Sequence, residues 1–256
     1  MRHPERWTPS KYVRRGGRWR ASKDVAELGI GSRLVADEVV ARYETCLPRF
    51  ARGRLIDLGC GKVPLYGLYR DLASEVTCVD WAASHHASPH LDRECDLTQP
   101  LPFGDAAFDT ILLSDVLEHV PSPENLWREM ARLLAPGGHV VMNVPFLYGI
   151  HEAPHDYARY TEFALRRFAH EAGFDVVLLE PVGGSQHVLV DLLAKHLAHV
   201  PLLGRPIAAL LMAIVSGLDR TAIGRRWTAF SGAHFPLGYF MAARRRAALA
   251  APGQDG

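Results

Sequence analysis

Two stretches of this sequence concentrate side chains that could do chemistry. The first is Arg54-Leu55-Ile56-Asp57-Leu58-Gly59-Cys60-Gly61. A short apolar run carries an acid and breaks into a glycine pair, the pattern of a buried strand opening into a tight ligand-holding loop. Gly59 and Gly61 permit positive φ and close approach of another molecule to the backbone. The second stretch runs from Tyr148 to Thr161 and crowds two histidines, two acids, an arginine and three tyrosines into one segment. His151, His155 and Asp156 are candidate general bases, since imidazole titrates near neutral pH. Arg159 could grip a carboxylate or phosphate bidentately, and Tyr148, Tyr157 and Tyr160 would complete a substrate surface. The plainer alternative makes Asp156, Arg159 and Tyr160 a structural network opening the next helix, with Thr161 as its cap.

Spacing sorts the ligands that a glycine loop can take. A P-loop needs GxxxxGK followed by Ser or Thr, and no segment matches. A dinucleotide loop needs GxGxxG, but Pro64 occupies the third glycine position. Proline has no amide proton there and puts a ring where close packing is required. That argues against an NAD-linked oxidoreductase, which remains a remote alternative. S-adenosylmethionine (SAM) has no pyrophosphate, so it needs the close backbone approach but not the third glycine.

These residues need a scaffold, and the hydrophobic pattern supplies one. Residues 55–58, 75–80, 110–113, 139–144, 174–179 and 235–242 read as strands, with a further short one leading into Asp96-Leu97. Helices are expected over 33–46, 65–73, 125–134 and 161–172, the first capped by Ser32 and the last closed by Gly173. The alternation predicts an α/β fold with a mostly parallel sheet covered on both faces. Four parts of a single domain follow: a basic arm and helix over 1–53, an α/β core over 54–180, a helical insertion over 181–234, and a last strand and tail over 235–256.

The motifs, taken together, resemble the class I SAM-dependent methyltransferases. The matching residues are Leu55 to Gly61, Val79-Asp80, Asp96-Leu97, Leu101-Pro102-Phe103 with Phe108-Asp109, Val116-Leu117-Glu118-His119-Val120, and Leu134-Ala135-Pro136-Gly137-Gly138. The resemblance implies a Rossmann-like fold whose seven-stranded sheet ends in an antiparallel strand, with SAM as cofactor. It implies that Asp57, Gly59, Cys60 and Gly61 hold the methionine end and that Asp80 accepts from the ribose hydroxyls. Trp81 would cover the adenine, Asp96 and Leu97 would meet its amino group and ring face, and Ser114 and Asp115 would line the pocket floor. The activity implied is methyl transfer to a small or lipid- or sugar-linked acceptor, most readily on oxygen. The run from Pro154 to Thr161 is similar to one in methyltransferases of cell-envelope glycans and lipid-linked sugars, an associational hint only. A SAM-binding partner protein without turnover is the alternative from another class.

Two metal signals compete with this reading. His151-Glu152-Ala153-Pro154-His155 matches HExxH, but that motif works on a helix, and Pro154 removes a helix hydrogen bond. Asp115, Glu118 and His119 resemble the acid-x-x-Glu-His ligands of quinone O-methyltransferases and small-RNA methyltransferases. The preferred reading is that Glu118 and His119 fix the loop after the fourth strand, with no metal centre.

Composition bounds the rest. A net charge of +1 gives no global pull toward nucleic acid, and no nucleic-acid partner is expected. Residues 1–33 hold nine Lys or Arg against three acids, and Trp7, Tyr12 and Trp19 among them suit an arm docked on its own domain. Four cysteines without a CxxC pair suit a reduced, cytoplasmic protein. The opening residues show no apolar run of a signal peptide. Pro206 to Leu218 is uncharged over thirteen residues, short of the roughly 20 needed to span a bilayer. Apolar faces within 186–226, flanked by Arg205, Arg220, Arg225 and Arg226, suit peripheral membrane contact, a lid, a dimer interface or packing on the parent domain.

Overall fold

A computed structural model describes residues 1–82 and 88–247, so the far end of the expected tail lies outside the described residues. The chain opens with a hairpin of β1 (Tyr12–Arg15) and β2 (Arg18–Ala21), followed by helix α1 (Arg33–Phe50). A sheet of seven strands follows: β3 (Gly53–Leu58), β4 (Ala73–Asp80), β5 (Arg93–Glu94), β6 (Phe108–Ser114), β7 (Leu134–Pro145), β8 (Phe174–Val182) and β9 (Gly238–Arg245). Their spatial order is β5-β4-β3-β6-β7-β9-β8. The β5-β4-β3-β6-β7 pairings are parallel, and β9 runs antiparallel to both β7 and β8. The expected sheet is therefore observed. The chain builds β4 and β5 on one side of β3, then returns to the other side for β6. A crevice opens outside strand ends at such a reversal.

Alternate strand residues supply two cores, as the period of two requires. Ile56, Ile111, Leu113, Val140 and Met142 face α3 (Pro123–Leu133) and α4 (Glu162–Glu171), where Trp127, Met130, Leu165 and Phe168 complete the packing. Leu55, Leu112, Val141 and Phe240 face α1 and the hairpin, meeting Val40, Tyr43, Leu47 and Tyr12. Some boundaries differ from the sequence pattern. Helix α1 continues through Pro48 to Phe50, because burial of Leu47 and Phe50 outweighs one missing backbone bond. Ser32 makes no capping bond, whereas Thr161 accepts from the Ala164 amide at 3.3 Å. The expected helix over 65–73 shrinks to a single turn, α2 (Tyr66–Tyr69), since β4 already begins at Ala73.

The insertion contains three helices: α5 (Ser185–Leu197), α6 (Gly204–Leu218) and α7 (Ala222–Gly232). The last was hidden in a segment that reads as polar, and Thr221 caps it by accepting from the Gly224 amide at 3.0 Å. Val190, Ala194, Ala208, Met212 and Val215 close a third core against Leu34 of α1. Buried His187 fastens the helices together. Its Nδ1 accepts from the Gly184 amide at 3.2 Å, and its Nε2 faces Asp219 Oδ2 at 2.8 Å.

The basic arm is built into the fold. Ala21 N donates to Asp37 Oδ1 at 2.8 Å, and Trp7 Nε1 donates to the Val63 carbonyl at 2.9 Å. Gly67 sits under both tryptophans: a Cβ there would stand 2.4 Å from Trp19 Cη2 and 2.8 Å from Trp7 Cη2. Gly67→Val should therefore lift the arm, lowering stability by about 1–3 kcal/mol as overpacking does. Limited proteolysis would then cut within residues 1–21 well before the core melts. Unchanged protection of that segment would mean the arm is not held at Gly67.

Candidate active site

The crevice at the strand ends holds a cavity of about 740 Å³. All ten residues expected at a SAM site line it: Asp57, Gly59, Cys60, Gly61, Asp80, Trp81, Asp96, Leu97, Ser114 and Asp115. The glycine loop is stitched to the end of β4. Gly59 N and Cys60 N both donate to the Val79 carbonyl, at 2.9 and 3.1 Å, and Gly61 N donates to Asp80 Oδ2 at 2.8 Å. Gly59 adopts φ +70°, and a Cβ there would stand 2.6 Å from Val116 Cγ2. A side chain at that position would fill the cradle. Asp57 is 4% exposed and accepts from Tyr69 Oη at 2.9 Å. Burial pushes its carboxyl up to about 7, against the help of the Tyr69 hydrogen bond.

A second cavity of about 160 Å³ adjoins the first, and the two share Lys11, Tyr12, Asp115 and His151 in their walls. Its remaining lining is largely apolar, from Leu28, Val35, Ala36, Val39, Val182 and Leu237, with Asn143 and Tyr148 as polar members. Asn143, Lys11 and Tyr12 did not stand out in the sequence. Asn143 lies inside an apolar strand, where its Nδ2 donates to Asp115 Oδ1. Lys11 and Tyr12 arrive only because the hairpin folds over the crevice, and Lys11 Nζ lies 3.3 Å from Asp115 Oδ2. The aromatic spacing of the arm was the available signal.

The Tyr148–Thr161 segment divides into two groups. His151 lines both cavities, His155 and Tyr157 line the larger, and Tyr148 lines the smaller. His155 packs edge-on against Trp81, with ring centroids 4.9 Å apart. Asp156, Arg159 and Tyr160 line neither cavity. Asp156 is enclosed, accepting from Arg159 Nη2 at 2.7 Å and from the His151 amide at 2.9 Å. The Arg159 guanidinium holds its carboxyl well below the usual carboxylate range. Tyr160 is buried and donates to the Leu117 carbonyl at 3.4 Å. These three therefore shape the segment, as the structural alternative had it.

Behind His151 lies Glu118, fully buried, with neither carboxylate oxygen in a hydrogen bond. His119 Nε2 stands 3.7 Å from Glu118 Oε1, and His151 Nε2 stands 3.6 Å from it. The Nδ1 atoms of both rings face backbone carbonyls, His155 O at 2.7 Å and Gly149 O at 3.3 Å. Nδ1–H donation to those carbonyls leaves an Nε2 lone pair on each ring turned toward the carboxylate. Burial works against a charge on His151, but the Glu118 and Asp156 carboxylates outweigh it and raise its pKa. The HExxH match is not helical: no helix covers 151–155, so its two histidines do not share a helix face.

Residues 56–142 match the family model described as "Methyltransferase domain". Over that stretch this chain is similar to a methyltransferase domain. A ubiquinone biosynthesis O-methyltransferase of Caulobacter sp. (strain K31) is 34% identical over 122 residues, covering 43% of this chain and 48% of that protein. The chain thus spans about half the length of that curated relative. Among solved structures, the [4+2]-cyclase SpnF superposes with a TM-score of 0.54 at 20% identity, covering 94% of this chain and 87% of that one. A SAM-dependent methyltransferase from Mesorhizobium loti gives a TM-score of 0.53 at 17% identity, covering 83% of this chain and all of that one (100%). At such identities the structures report the fold. The cofactor of a methyltransferase domain of this kind is SAM, and the Gly59 cradle, the buried Asp57 and the tethered Asp80 fit it.

Two substitutions test the cavity. Asp80→Ala removes a charged acceptor and the partner of the Gly61 amide, so SAM affinity should fall by about tenfold or more. Calorimetry measures this, and unchanged affinity would refute the ribose assignment. Asp57 titrates near pH 3.8 in an ordinary setting and at about 7 in the fold. The folded state therefore binds the proton more tightly, and this contribution to stability is lost as pH rises through that window. Asp57→Asn should flatten the fall in ligand-free melting temperature over the same range, and a parallel pair of curves would contradict the assignment.

Proposed function

We propose that this chain transfers a methyl group from SAM to an oxygen of a small or lipid- or sugar-linked acceptor seated in the smaller cavity. The carrying observation is that His151 lines both cavities, so one imidazole borders the donor space and the acceptor space together. Bound SAM supplies an electrophilic methyl on a sulfonium. Asp57 and the Gly59–Gly61 loop hold its amino-acid end, Asp80 takes the ribose, and Trp81, Asp96 and Leu97 take the adenine. The hairpin and α1 wall off the acceptor and exclude water, so proximity and orientation supply most of the rate. His151, steadied by Glu118, takes the acceptor's proton, and His155 and Tyr157 line the approach. The match to an O-methyltransferase supports oxygen as the acceptor atom.

A second reading of the same residues follows from Glu118. Its buried carboxylate and the Nε2 atoms of His119 and His151 lie within 4.8 Å of one another, a spacing that suits a divalent cation. Those three residues would hold the ion, and the ion would supply Lewis-acid activation of the acceptor oxygen. This reading departs from the expectation of a metal-free site because of one residue, His151, which sequence spacing did not connect to Glu118-His119.

Release of S-adenosylhomocysteine on incubation with SAM and a panel of phenols and sugar lipids tests the activity. Turnover should fall roughly 10²-fold or more in His151→Ala, with SAM affinity little changed. Tight SAM binding without turnover on any acceptor would favour the non-catalytic partner protein, and NAD binding in place of SAM would favour the oxidoreductase. Chelation separates the two readings of His151: activity lost to EDTA and restored by a divalent ion assigns the cation, and activity indifferent to EDTA assigns the proton transfer.

A further inference from the structure

The insertion leaves an apolar surface away from the cavities. Fourteen of the twenty large apolar side chains exposed among the described residues fall between Leu189 and Phe235. Scattered exposed apolar residues are ordinary, but such a concentration is not. On α6, Ile207, Leu210, Ile214 and Leu218 recur at helical spacing and are exposed, while Ala208, Met212 and Val215 are buried. On α7, Ile223, Trp227 and Phe230 repeat the pattern. The turn before α6 adds Leu202, 94% exposed.

The charge on these helices has one sign. Arg205, Arg220, Arg225 and Arg226 are exposed on α6, α7 and the turn between them. Between residues 183 and 234 the acids are Asp191 and Asp219. Neither is exposed: Asp191 pairs with Lys195, and Asp219 with His187 and Thr228. An apolar face with arginines beside it and no exposed carboxylate matches an anionic lipid surface.

We propose that α6 and α7 dock this protein on an anionic membrane surface, lying in its interface rather than crossing it. No single helix among the described residues is long and apolar enough to cross a membrane. Helices α6 and α7 together have the length and composition, but they bend by 101° at the break between them. A bend of that size suits two amphipathic helices laid along an interface. A second copy of this chain fits the surface less well, because a two-fold contact would set the arginine patch against its own copy with no exposed acid to answer it. Helix α5, packed on α6, reaches a wall residue of the smaller cavity: Lys195 Nζ stands over the Tyr148 ring, 3.5 Å from its centroid. This proposal does not rest on the methyl-transfer reading.

Co-sedimentation tests it with no methyl donor present. The full chain is mixed with vesicles of phosphatidylcholine alone, or of phosphatidylcholine with phosphatidylglycerol, at low and high salt. Sedimentation with the anionic vesicles, weakened by salt, is expected. Arg225→Ala combined with Arg226→Ala should lower that partition roughly tenfold or more, and Trp227→Asp combined with Phe230→Asp should abolish it. Phe163→Asp, at an exposed apolar residue of α4 outside the patch, should leave it unchanged. Melting curves confirm that each variant is folded, and the exposed arginine pair keeps the test decisive if the apolar variants are not. A folded chain that stays in the supernatant with both vesicle types overturns the proposal. So does a dimer, seen by analytical ultracentrifugation and dispersed by Ile214→Asp, that does not sediment with vesicles.

Discussion

Three hydrogen bonds from the glycine loop to the end of β4 set the geometry of everything around them. The amides of Gly59 and Cys60 converge on the Val79 carbonyl, and the Gly61 amide on Asp80. Parallel pairing of β3 with β4 aligns Leu58 with Val79, so the loop leaves β3 where β4 can hold it. The turn then needs positive φ at Gly59 and Gly61, and only a residue without Cβ clears Val116 at Gly59. A shift of one residue in this register would exchange the two faces of β3 and undo both cores as well as the loop. Sheet packing and ligand geometry are therefore one constraint here.

The larger cavity is local in this sense, and the smaller one is not. The smaller cavity draws its walls from the hairpin, α1, the ends of β7 and β8, and the segment before β9. These parts are far apart in sequence and meet only through the finished fold. Asp115 is where they join. It adopts φ +55°, takes the Asn143 side chain and Lys11, and lies in the walls of both cavities. A residue at positive φ held from both β7 and the arm is typical of a site whose surroundings over-determine it.

This difference explains what was legible in the sequence. The strands and the glycine loop follow from hydrophobic period and turn chemistry, which act over a few residues, whereas the antiparallel last strand followed only from the family resemblance. The ten residues expected at the SAM site were readable because each sits at or just beyond a strand end. Lys11, Tyr12 and Asn143 were not, since nothing local distinguishes a cavity lysine from a solvated one or a wall asparagine from a strand polar residue. The limits of α7 were not legible either: its arginines read only as polar sequence, whereas they mark the exposed side of a helix capped by Thr221. In Tyr148–Thr161 composition identified the segment but could not sort it, because Asp156 and Arg159 consume each other's charge.

Glu118 shows what that sorting achieves. A fully buried carboxylate without hydrogen bonds is costly unless positive charge stands beside it. The Arg159 guanidinium is occupied by Asp156 and by the Gly149 carbonyl. The Asp156–Arg159 pair fixes the backbone at His151, whose amide it accepts, and so turns that imidazole toward Glu118. Burial raises the pKa of Glu118 and the carboxylates raise that of His151, so what relieves the buried charge is a proton shared at the His119–His151 side or a cation between the three ligands. Either way it lies at the wall that His151 shares between the two cavities. The structural pair and the chemical pair are thus successive links, and the burial of Glu118 concentrates their effect at the place where an acceptor oxygen would lose its proton.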